Sequence, residues 1–241
     1  HALHEAQVFG QEVLVIFVNQ DVTGVQFQAI VFAQGKYSTP QFTGNENLIL
    51  TVSTLFDTSK DVRTFAARRW EGSLQLAQRL SRANSLQYRF SYRRVTIDPS
   101  TLKISPELVP LLSQPVRVGL ASMSFVQDRR DNPTDTHRGM YNTVDAGIAL
   151  PQFGSVTDYA RLVFRNSTYH PLNREVVIAR TLQFGYIQRL GGTPEIPLGE
   201  RFFAGGASSH RGFPDNQAGP RDPETGFPLG GNAMLFHSTE L

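Results

Sequence analysis

Apolar and polar residues alternate with a period of two along most of the chain. The clearest example spans residues 86–93, where four large apolar side chains alternate with four polar or charged ones: Leu86, Tyr88, Phe90 and Tyr92 against Gln87, Arg89, Ser91 and Arg93. Successive side chains of a β-strand point to opposite faces of its sheet, so this pattern predicts strands with one apolar and one polar face. A helical period is almost absent, and the chain is therefore predicted to be all-β.

Ten segments carry a strand pattern, and they predict an antiparallel sheet of about ten strands. Their approximate bounds are 12–19, 25–36, 46–57, 62–80, 84–97, 115–128, 139–150, 157–169, 175–188 and 231–241. Each hairpin reverses the direction of the chain. We therefore expect the long connections 98–114 and 189–230 on one side of the sheet and the turns on the other: 38–45, 81–83, 129–138 and 170–174.

The first long connection has the pattern of a short helix. Residues 106–113 would form that helix, with Ser105 as its N-cap and Pro106 at its first position. Both residues suit the start of a helix, because an N-cap hydroxyl accepts a backbone hydrogen bond and proline lacks an N–H that would go unused there.

Two architectures fit an antiparallel sheet with one apolar face: a soluble sandwich and a transmembrane β-barrel. Several segments run to 12 residues or more, which is long for a sandwich strand. Their polar faces mix guanidinium and carboxylate groups, as a water-filled lumen requires. Aromatic residues lie near the ends of the apolar faces, where a membrane girdle would place them: Trp70, Tyr88, Tyr92 and Tyr186. The pattern favours the barrel, whose strands need only about 9–11 residues to cross a membrane.

Composition narrows the candidate functions. The 241 residues include no cysteine, which removes disulfides, thiolate metal sites and cysteine nucleophiles together. A balance of 23 basic against 21 acidic residues gives no reason to expect nucleic-acid binding. The chain begins at His1 without the pattern of a signal peptide and ends within a strand-like stretch, so we expect it to be part of a longer protein.

Two clusters of reactive residue types were weighed as sites of chemistry. The triad residue types Ser209, His210 and Asp215 lie too close along one loop to form a nucleophile, base and orienting acid. Residues 128–137 hold three aspartates and a histidine, but their spacing does not match a calcium loop, and Asp beside Pro is an ordinary turn former. The sequence therefore predicts no enzyme activity, no metal and no cofactor.

The glycine-rich stretch 200–241 carries four spaced motifs. They are Phe-Phe-Ala-Gly-Gly at 202–206, Arg-Gly-Phe at 211–213, Gly-Pro-Arg at 219–221 and Gly-Gly-Asn-Ala at 230–233. In this order they resemble the loop-six signature of the BamA/TamA-like outer-membrane protein assembly family. His210 stands where that family usually has a branched apolar residue. The turns within 128–139 and 37–42 are also similar to turns of the family.

The resemblance implies that residues 1–241 are part of a C-terminal outer-membrane β-barrel, without a POTRA domain. It also implies that the motif Arg211-Gly212-Phe213 folds back into the lumen. There Arg211 would contact acidic and aromatic groups of later strands, which we expect beyond Leu241. We also expect Gly212 to bend the backbone and Phe213 to wedge against the inner wall. Glycine pairs enter and leave the loop, at positions where positive φ or close backbone approach is expected: Gly205, Gly206, Gly230 and Gly231.

The function implied by the resemblance is non-covalent folding and insertion of outer-membrane proteins. Its expected partners are unfolded outer-membrane protein substrates, outer-membrane lipids and, through other domains, periplasmic accessory proteins. A two-partner or passenger secretion pore on the same barrel is one alternative. A soluble β-sandwich binding module is the alternative from another class, and detergent dependence of the purified protein would separate it from both.

Overall fold

The computed structural model describes residues 15–18, 29–62, 65–97, 104–108, 116–173, 175–206 and 209–241. Within these residues ten strands form a single antiparallel sheet, and each strand pairs with the next one in sequence. The strands are β1 (Val15–Val18), β2 (Ala29–Pro40), β3 (Leu48–Val62), β4 (Phe65–Arg79), β5 (Asn84–Ile97), β6 (Val116–Asp128), β7 (Gly139–Ala149), β8 (Tyr159–Pro171), β9 (Val177–Arg189) and β10 (Ala233–Glu240). The all-β antiparallel fold expected from the alternation is confirmed.

The first described turn lies later than the sequence predicted. A turn was expected at 38–45, but β2 continues to Pro40, which pairs with Ile49. The Ser38 hydroxyl also meets the Thr51 hydroxyl across the strands at 3.2 Å, which favours the extended pairing. Pro40 fits at the end of a strand because its missing N–H leaves no bond unmade in the sheet interior. The chain then reverses through a short 3₁₀ turn at Phe42–Gly44.

The hairpins divide the sheet into two ends. The connections 98–115, 150–158 and 190–232 leave from one end, which we call the loop end. The connections 41–47, 80–83, 129–138 and 172–176 lie at the other end, the turn end. The side of the sheet on which each of these connections lies agrees with the sequence-based expectation. No helix in the described part of the chain is long and apolar enough to cross a membrane.

One face of the sheet is apolar and uncovered over most of its area. Successive register partners on β5 to β10 form an apolar row: Leu86, Phe125, Val144, Phe164, Phe184 and Leu235. Leu74, Met123 and Leu235 on this face are 49%, 47% and 74% exposed. A sandwich would bury such a face under a second sheet, so the soluble sandwich is not supported. We call this the outer face.

The opposite face carries the connection 190–232 and is the inner face. Phe202 from that connection lies against Gly185 of β9, where an added Cβ would come within 2.7 Å of its ring. Ile196 packs against inner-face residues of β6, including Val118 and Leu120. Leu198 packs against Val95 and Ile97 of β5. The inner face is therefore apolar near the loop end, where this connection covers it.

Nearer the turn end the inner face is polar. The residues there include Gln75, Gln87, Arg89, Ser122, Ser124, Asp145 and Arg161. Gln75 donates to Gln87 across β4 and β5, and Arg161 pairs with Asp145 across β7 and β8. The predicted division of residues 86–93 is confirmed, because Arg89 and Arg93 share the inner face while Tyr88 and Phe90 lie outside.

A cation introduced on the outer face should destabilise the protein in a bilayer. We expect Phe90→Arg to lower the free energy of unfolding by roughly 2–4 kcal/mol if the site lies near the membrane midplane, because hydrocarbon does not solvate a guanidinium. The measurement is urea unfolding in phospholipid vesicles. Gln87→Arg on the polar inner face is the control, and equal losses for the two variants would contradict the assignment of faces.

Candidate functional site

The connection 190–232, here called the inner loop, is folded back along the inner face and has its own internal structure. Three isolated bridges hold it together, between Phe202 and Gly231, Ala204 and Ala218, and Arg221 and Pro228. A 3₁₀ turn at Leu198–Glu200 precedes them. Residues 205–217, which the Ala204–Ala218 bridge encloses, form the tip of the loop. The rest of the loop, near the loop end, is its stem.

The stem is anchored by a buried three-residue cluster. Arg93 on β5 donates through Nε to Glu200 at 3.0 Å and also donates through its terminal nitrogen to the second carboxylate oxygen. The Tyr159 hydroxyl at the start of β8 donates to Glu200 at 2.7 Å, and Arg93 donates to that hydroxyl at 3.3 Å. The side chain of Glu200 is 2% exposed. The cluster thus joins the inner loop to two strands.

Because the cluster is buried, the charges of Arg93 and Glu200 depend on each other. A carboxylate removed from water is costly unless hydrogen-bond donors replace its hydration, and a bidentate guanidinium supplies two of them. Removing either charge would leave the other buried without a partner. The Arg93–Glu200–Tyr159 cluster therefore fixes the position of the stem more strictly than an exposed ion pair would.

A second buried contact joins the inner loop to the β5–β6 connection. The hydroxyl of Ser105 donates to the Asp222 carboxylate at 2.7 Å, and its backbone N–H donates at 2.6 Å. The hydrogen bond from the Ser105 hydroxyl is the main reason why the pKa of Asp222 lies well below its usual range. A lowered pKa means that the contact contributes its stability above the ordinary pKa of an aspartate. That contribution declines as the pH falls below the ordinary value and is lost once the pH has fallen through the lowered one.

Ser105, predicted as an N-cap, donates its hydroxyl hydrogen to Asp222, and residues 106–108 form a turn in which the Leu108 N–H bonds the Ser105 carbonyl. The remaining residues of the predicted helix, 109–113, lie outside the described residues, so the helix stays a prediction. The tertiary contact between Ser105 and Asp222 was not expected from the sequence.

The tip of the inner loop reaches towards the turn end. Arg211 donates to Glu240 of β10 at 2.9 Å. Glu240 lies seven residues beyond Ala233, at which β10 begins, and this is ~24 Å along the strand at about 3.4 Å per residue. The loop therefore enters at the loop end and extends along much of the inner face. The side chains of Arg211 and Glu240 are 70% and 50% exposed.

The acidic partner of Arg211 differs from the expectation. We expected it beyond Leu241, but Glu240 supplies a carboxylate within the described chain. Gly212 was expected to bend the backbone, and it lies in a turn that the hydrogen bond from the Phe213 N–H to the His210 carbonyl closes, although its φ is not positive. Phe213 was expected to wedge against the inner wall, but it lies edge-on to His210 with ring centroids 4.9 Å apart, and it is 43% exposed. Phe213 thus packs within the tip, whereas Arg211 reaches β10.

Glycine is required where the tip closes. At Gly206, φ is +85°, and an added Cβ would lie 1.7 Å from a carboxylate oxygen of Asp215. Gly205 and Gly230 also have positive φ, whereas Gly231 does not. The Ser209 hydroxyl bonds to the backbone of Gly205 on both its N–H and its carbonyl, which closes the same turn. The glycines thus shape the loop, three of the four through positive φ.

The two clusters of reactive residue types have structural roles. Ser209 bonds the Gly205 backbone, and His210 packs on Phe213, so they are engaged within the tip. In the 129–138 turn, one oxygen of Asp131 accepts the backbone N–H groups of Asn132, His137 and Arg138, and these bonds lower its pKa. Among the described residues no group of three or more His, Asp or Glu has the geometry of a metal site.

Sequence reasoning identified Arg211 but missed the buried anchors. Alternation had placed Arg93 on the inner face, and Glu200 lies at the start of the glycine-rich stretch. Nothing in the sequence joins the two, because they are separated by 107 residues. The same holds for Ser105 and Asp222, which are 117 residues apart. The arrangement is a stem packed on the inner face near the loop end, beside a polar inner surface.

Comparisons with known proteins give a consistent picture. A family model described as the Omp85 superfamily domain matches residues 32–241. Two relatives named outer membrane protein assembly factor BamA, from Nitratidesulfovibrio vulgaris and Neisseria meningitidis serogroup B, are each 30% identical over 122 and 123 residues respectively. Each alignment spans 50% of this chain but only 15% of the relative.

A solved structure shows the same fold. The crystal structure of BamA from Haemophilus ducreyi lacking POTRA domains 1–3 aligns with a TM-score of 0.69 at 20% sequence identity. The alignment covers 88% of this chain and 45% of that structure. At this identity the likeness supports the β-barrel fold and carries no further detail.

The buried and the exposed ion pair should respond differently to truncation. We expect Glu200→Ala to destabilise the folded barrel by roughly 3–5 kcal/mol, because it leaves the Arg93 guanidinium buried without its carboxylate. Arg211→Ala should cost only about 0–1 kcal/mol, since its pair with Glu240 is exposed. Urea unfolding of the two variants and limited proteolysis of the inner loop provide the measurement. A larger loss for Arg211→Ala than for Glu200→Ala would contradict this ranking.

Proposed function

The chain belongs to the Omp85 superfamily and is part of a β-barrel of the bacterial outer membrane, and from this premise we propose that it folds and inserts other β-barrel proteins into that membrane. The relatives named outer membrane protein assembly factor BamA support this proposal. The work is non-covalent and requires no cofactor. Its substrates are unfolded outer-membrane proteins. Residues 1–241 form part of the C-terminal barrel domain, and other domains of the protein bind periplasmic accessory proteins.

The observation that carries the proposal is the buried anchoring of the stem. Two contacts hold it in the lumen, one through Glu200 and the other through Asp222. Passage of a polypeptide through the lumen would have to break both, and each leaves buried polar groups unpaired. Insertion of a substrate at the lipid-facing side of the barrel leaves them intact. The anchored stem therefore favours an insertion factor over a conducting pore.

A secretion pore on the same barrel is the second candidate. The polar inner surface between the stem and the turn end favours it, because it resembles the lining of an aqueous path. For such a pore the stem would act as a plug that is displaced during transport. The two functions therefore differ in whether the stem moves.

A disulfide across the second anchor separates these functions. We expect the pair Ser105→Cys and Asp222→Cys in the full-length protein to form a disulfide, since the side chains it replaces are in direct contact. An oxidised, locked stem should retain insertion of barrel substrates, measured in proteoliposomes by the protease resistance of the folded product. The Ser105→Cys single variant is the control. Absence of insertion by the reduced protein, together with export of a polypeptide that stops on oxidation and resumes on reduction, would instead support the pore.

The tip motif Arg211-Gly212-Phe213 has a positioning role in this proposal. Its guanidinium reaches the turn end of β10 and holds the tip against the wall through Glu240. The planar fork of arginine can engage both oxygens of a carboxylate, which lysine cannot match as a point charge. The pair is exposed, so it orients the tip and adds little to the stability of the fold.

Arg211 variants test this role. In the full-length protein we expect Arg211→Ala to reduce substrate insertion and increase protease cleavage of the tip, while the barrel remains folded. Arg211→Lys should restore activity only in part, because the ammonium lacks the fork. The exposed Arg82 in the β4–β5 turn provides a matched control as Arg82→Ala. Wild-type insertion together with wild-type protease resistance of the tip in Arg211→Ala would refute the assignment.

A further inference from the structure

Three arginines lie close together on the outer face near the loop end. Arg94 of β5 and Arg117 of β6 are direct register partners, and Arg94 also pairs with Trp70 of β4. Arg68 lies two residues from Trp70 and is on the same face by alternation. All three arginines are exposed. We call Arg68, Arg94 and Arg117 the arginine cluster.

The arginine cluster faces outward because its neighbours along the strands face inward. Val95 beside Arg94 and Val118 beside Arg117 are 5% and 0% exposed. Both valines belong to the apolar clusters that pack under the inner loop. Successive side chains of a strand point to opposite faces of the sheet. The arginine cluster therefore lies on the surface of the barrel that meets lipid, and the sheet separates it from the inner loop.

The arginine cluster has no carboxylate on its own face to neutralise it. Among the side chains that the structure describes, none of the three guanidiniums forms an ion pair. Asp57 and Glu71 lie nearby on β3 and β4, but on the inner face, where Asp57 pairs with Arg69. Like charges directly opposite each other on neighbouring strands are destabilising. The pair Arg94–Arg117 therefore keeps a repulsion that a bound anion would offset.

The arginine cluster lies at the depth of an aromatic girdle. Phe56 and Trp70, in the same row as Arg94, are 39% and 47% exposed. Tyr92 and Phe90 follow along β5 towards the turn end on the same face. Aromatic side chains of a membrane β-barrel concentrate where hydrocarbon gives way to headgroups. The guanidiniums therefore lie at the level of the lipid headgroups, above an apolar wall.

The β7–β8 connection fixes the backbone of the arginine cluster at β6. The N–H of Val156 donates to the Arg117 carbonyl at 2.9 Å. Phe153 lies over Gly119, where an added Cβ would come within 1.9 Å of the Phe153 carbonyl oxygen. The Phe153 ring is edge-on to Phe90 with centroids 6.0 Å apart, so the connection bends over the outer face. The backbone of Arg117 is thus held in place, while its guanidinium stays open to a ligand.

The charge and spacing of the arginine cluster suit a lipid with two phosphates. Arginine presents a planar fork of N–H groups that binds a phosphate through two hydrogen bonds. Neighbouring strands lie about 4.8 Å apart, so the three side chains on β4 to β6 spread over roughly 10 Å. One phosphodiester carries a single negative charge and would leave two guanidiniums unmatched. A second phosphate on the same lipid supplies the missing charge.

We propose that the arginine cluster binds the headgroup of a lipid that carries two phosphates, in the leaflet at the loop end. The aromatic side chains of Trp70, Tyr92 and Phe90 contact the apolar part of this lipid. Binding offsets the repulsion between Arg94 and Arg117 and holds the ends of β5 and β6 at the membrane surface. The site is on the face opposite the inner loop, so it does not rest on the insertion function proposed above.

Binding of diphosphoryl lipid A to the full-length protein in detergent tests the proposal. Native mass spectrometry measures the bound fraction during a titration. We expect the double variant Arg94→Gln and Arg117→Gln to bind at least roughly tenfold more weakly, because two charge-assisted contacts are lost. Arg180→Gln is the matched control and should bind as the wild type does. Arg180 is also exposed on the outer face, but at the turn end and beside the neutral register partners Thr168 and Thr239.

Thermal unfolding provides a second readout, which a role of the arginines in the fold alone would not reverse. Without lipid the double variant should melt at the same temperature as the wild type or higher, because the repulsion is removed. With diphosphoryl lipid A the wild type should melt at the higher temperature, since binding stabilises the folded state. If the double variant does not fold, Arg68→Gln alone is compared with the wild type in both measurements.

Three results would overturn the proposal. The first is equal affinity of the wild type and the arginine variant for diphosphoryl lipid A. The second is equal affinity of the wild type for monophosphoryl and diphosphoryl lipid A, because the cluster is then not matched to two phosphates. The third is an equal loss of binding in Arg180→Gln, which would show a general attraction of exposed cations to this lipid.

Discussion

A carboxylate with almost no contact with water must be matched by donors, and Glu200 meets this requirement with Arg93 and Tyr159. The position of the inner loop depends on this cluster. It fixes the 3₁₀ turn against β5 and β8, and Leu198 and Phe202 then pack on the inner wall. Apolar contacts add area, but they have little directional preference. The buried charge pair sets where the stem lies.

The inner loop combines one fixed part with one weakly held part. The stem is held by buried groups, whereas Arg211 at the tip pairs with Glu240 where both side chains are largely exposed. Water screens such an exposed pair, so it can open at low cost. This difference is the physical basis for treating the stem as the fixed part of the loop and for assigning positioning of the tip to Arg211.

The two faces of the sheet depart from a simple apolar and polar division in opposite ways. The inner face is apolar near the loop end, because the stem covers it there. The outer face is polar along one row of four side-chain amides on β5 to β8, which bond to one another: Asn84, Gln127, Asn142 and Asn166. Each departure satisfies the groups involved through a neighbour that lies on another strand or loop. The apolar part of the inner face and the polar row of the outer face are what distinguish this sheet from a regular alternation of apolar and polar rows.

The alternation of residues by itself determined the strands, the faces and the side on which each connection lies, because all three follow from a period of two and from hairpin reversal. The motif that contains Arg211 predicted that this side chain turns inward, where it pairs with Glu240. Only the tertiary structure decided which charges meet. The pairs Arg93–Glu200 and Ser105–Asp222 are separated by 107 and 117 residues, and local sequence carries no signal over such distances. The turn after Pro40 lies later than local preference indicated, since cross-strand pairing with β3 extends β2.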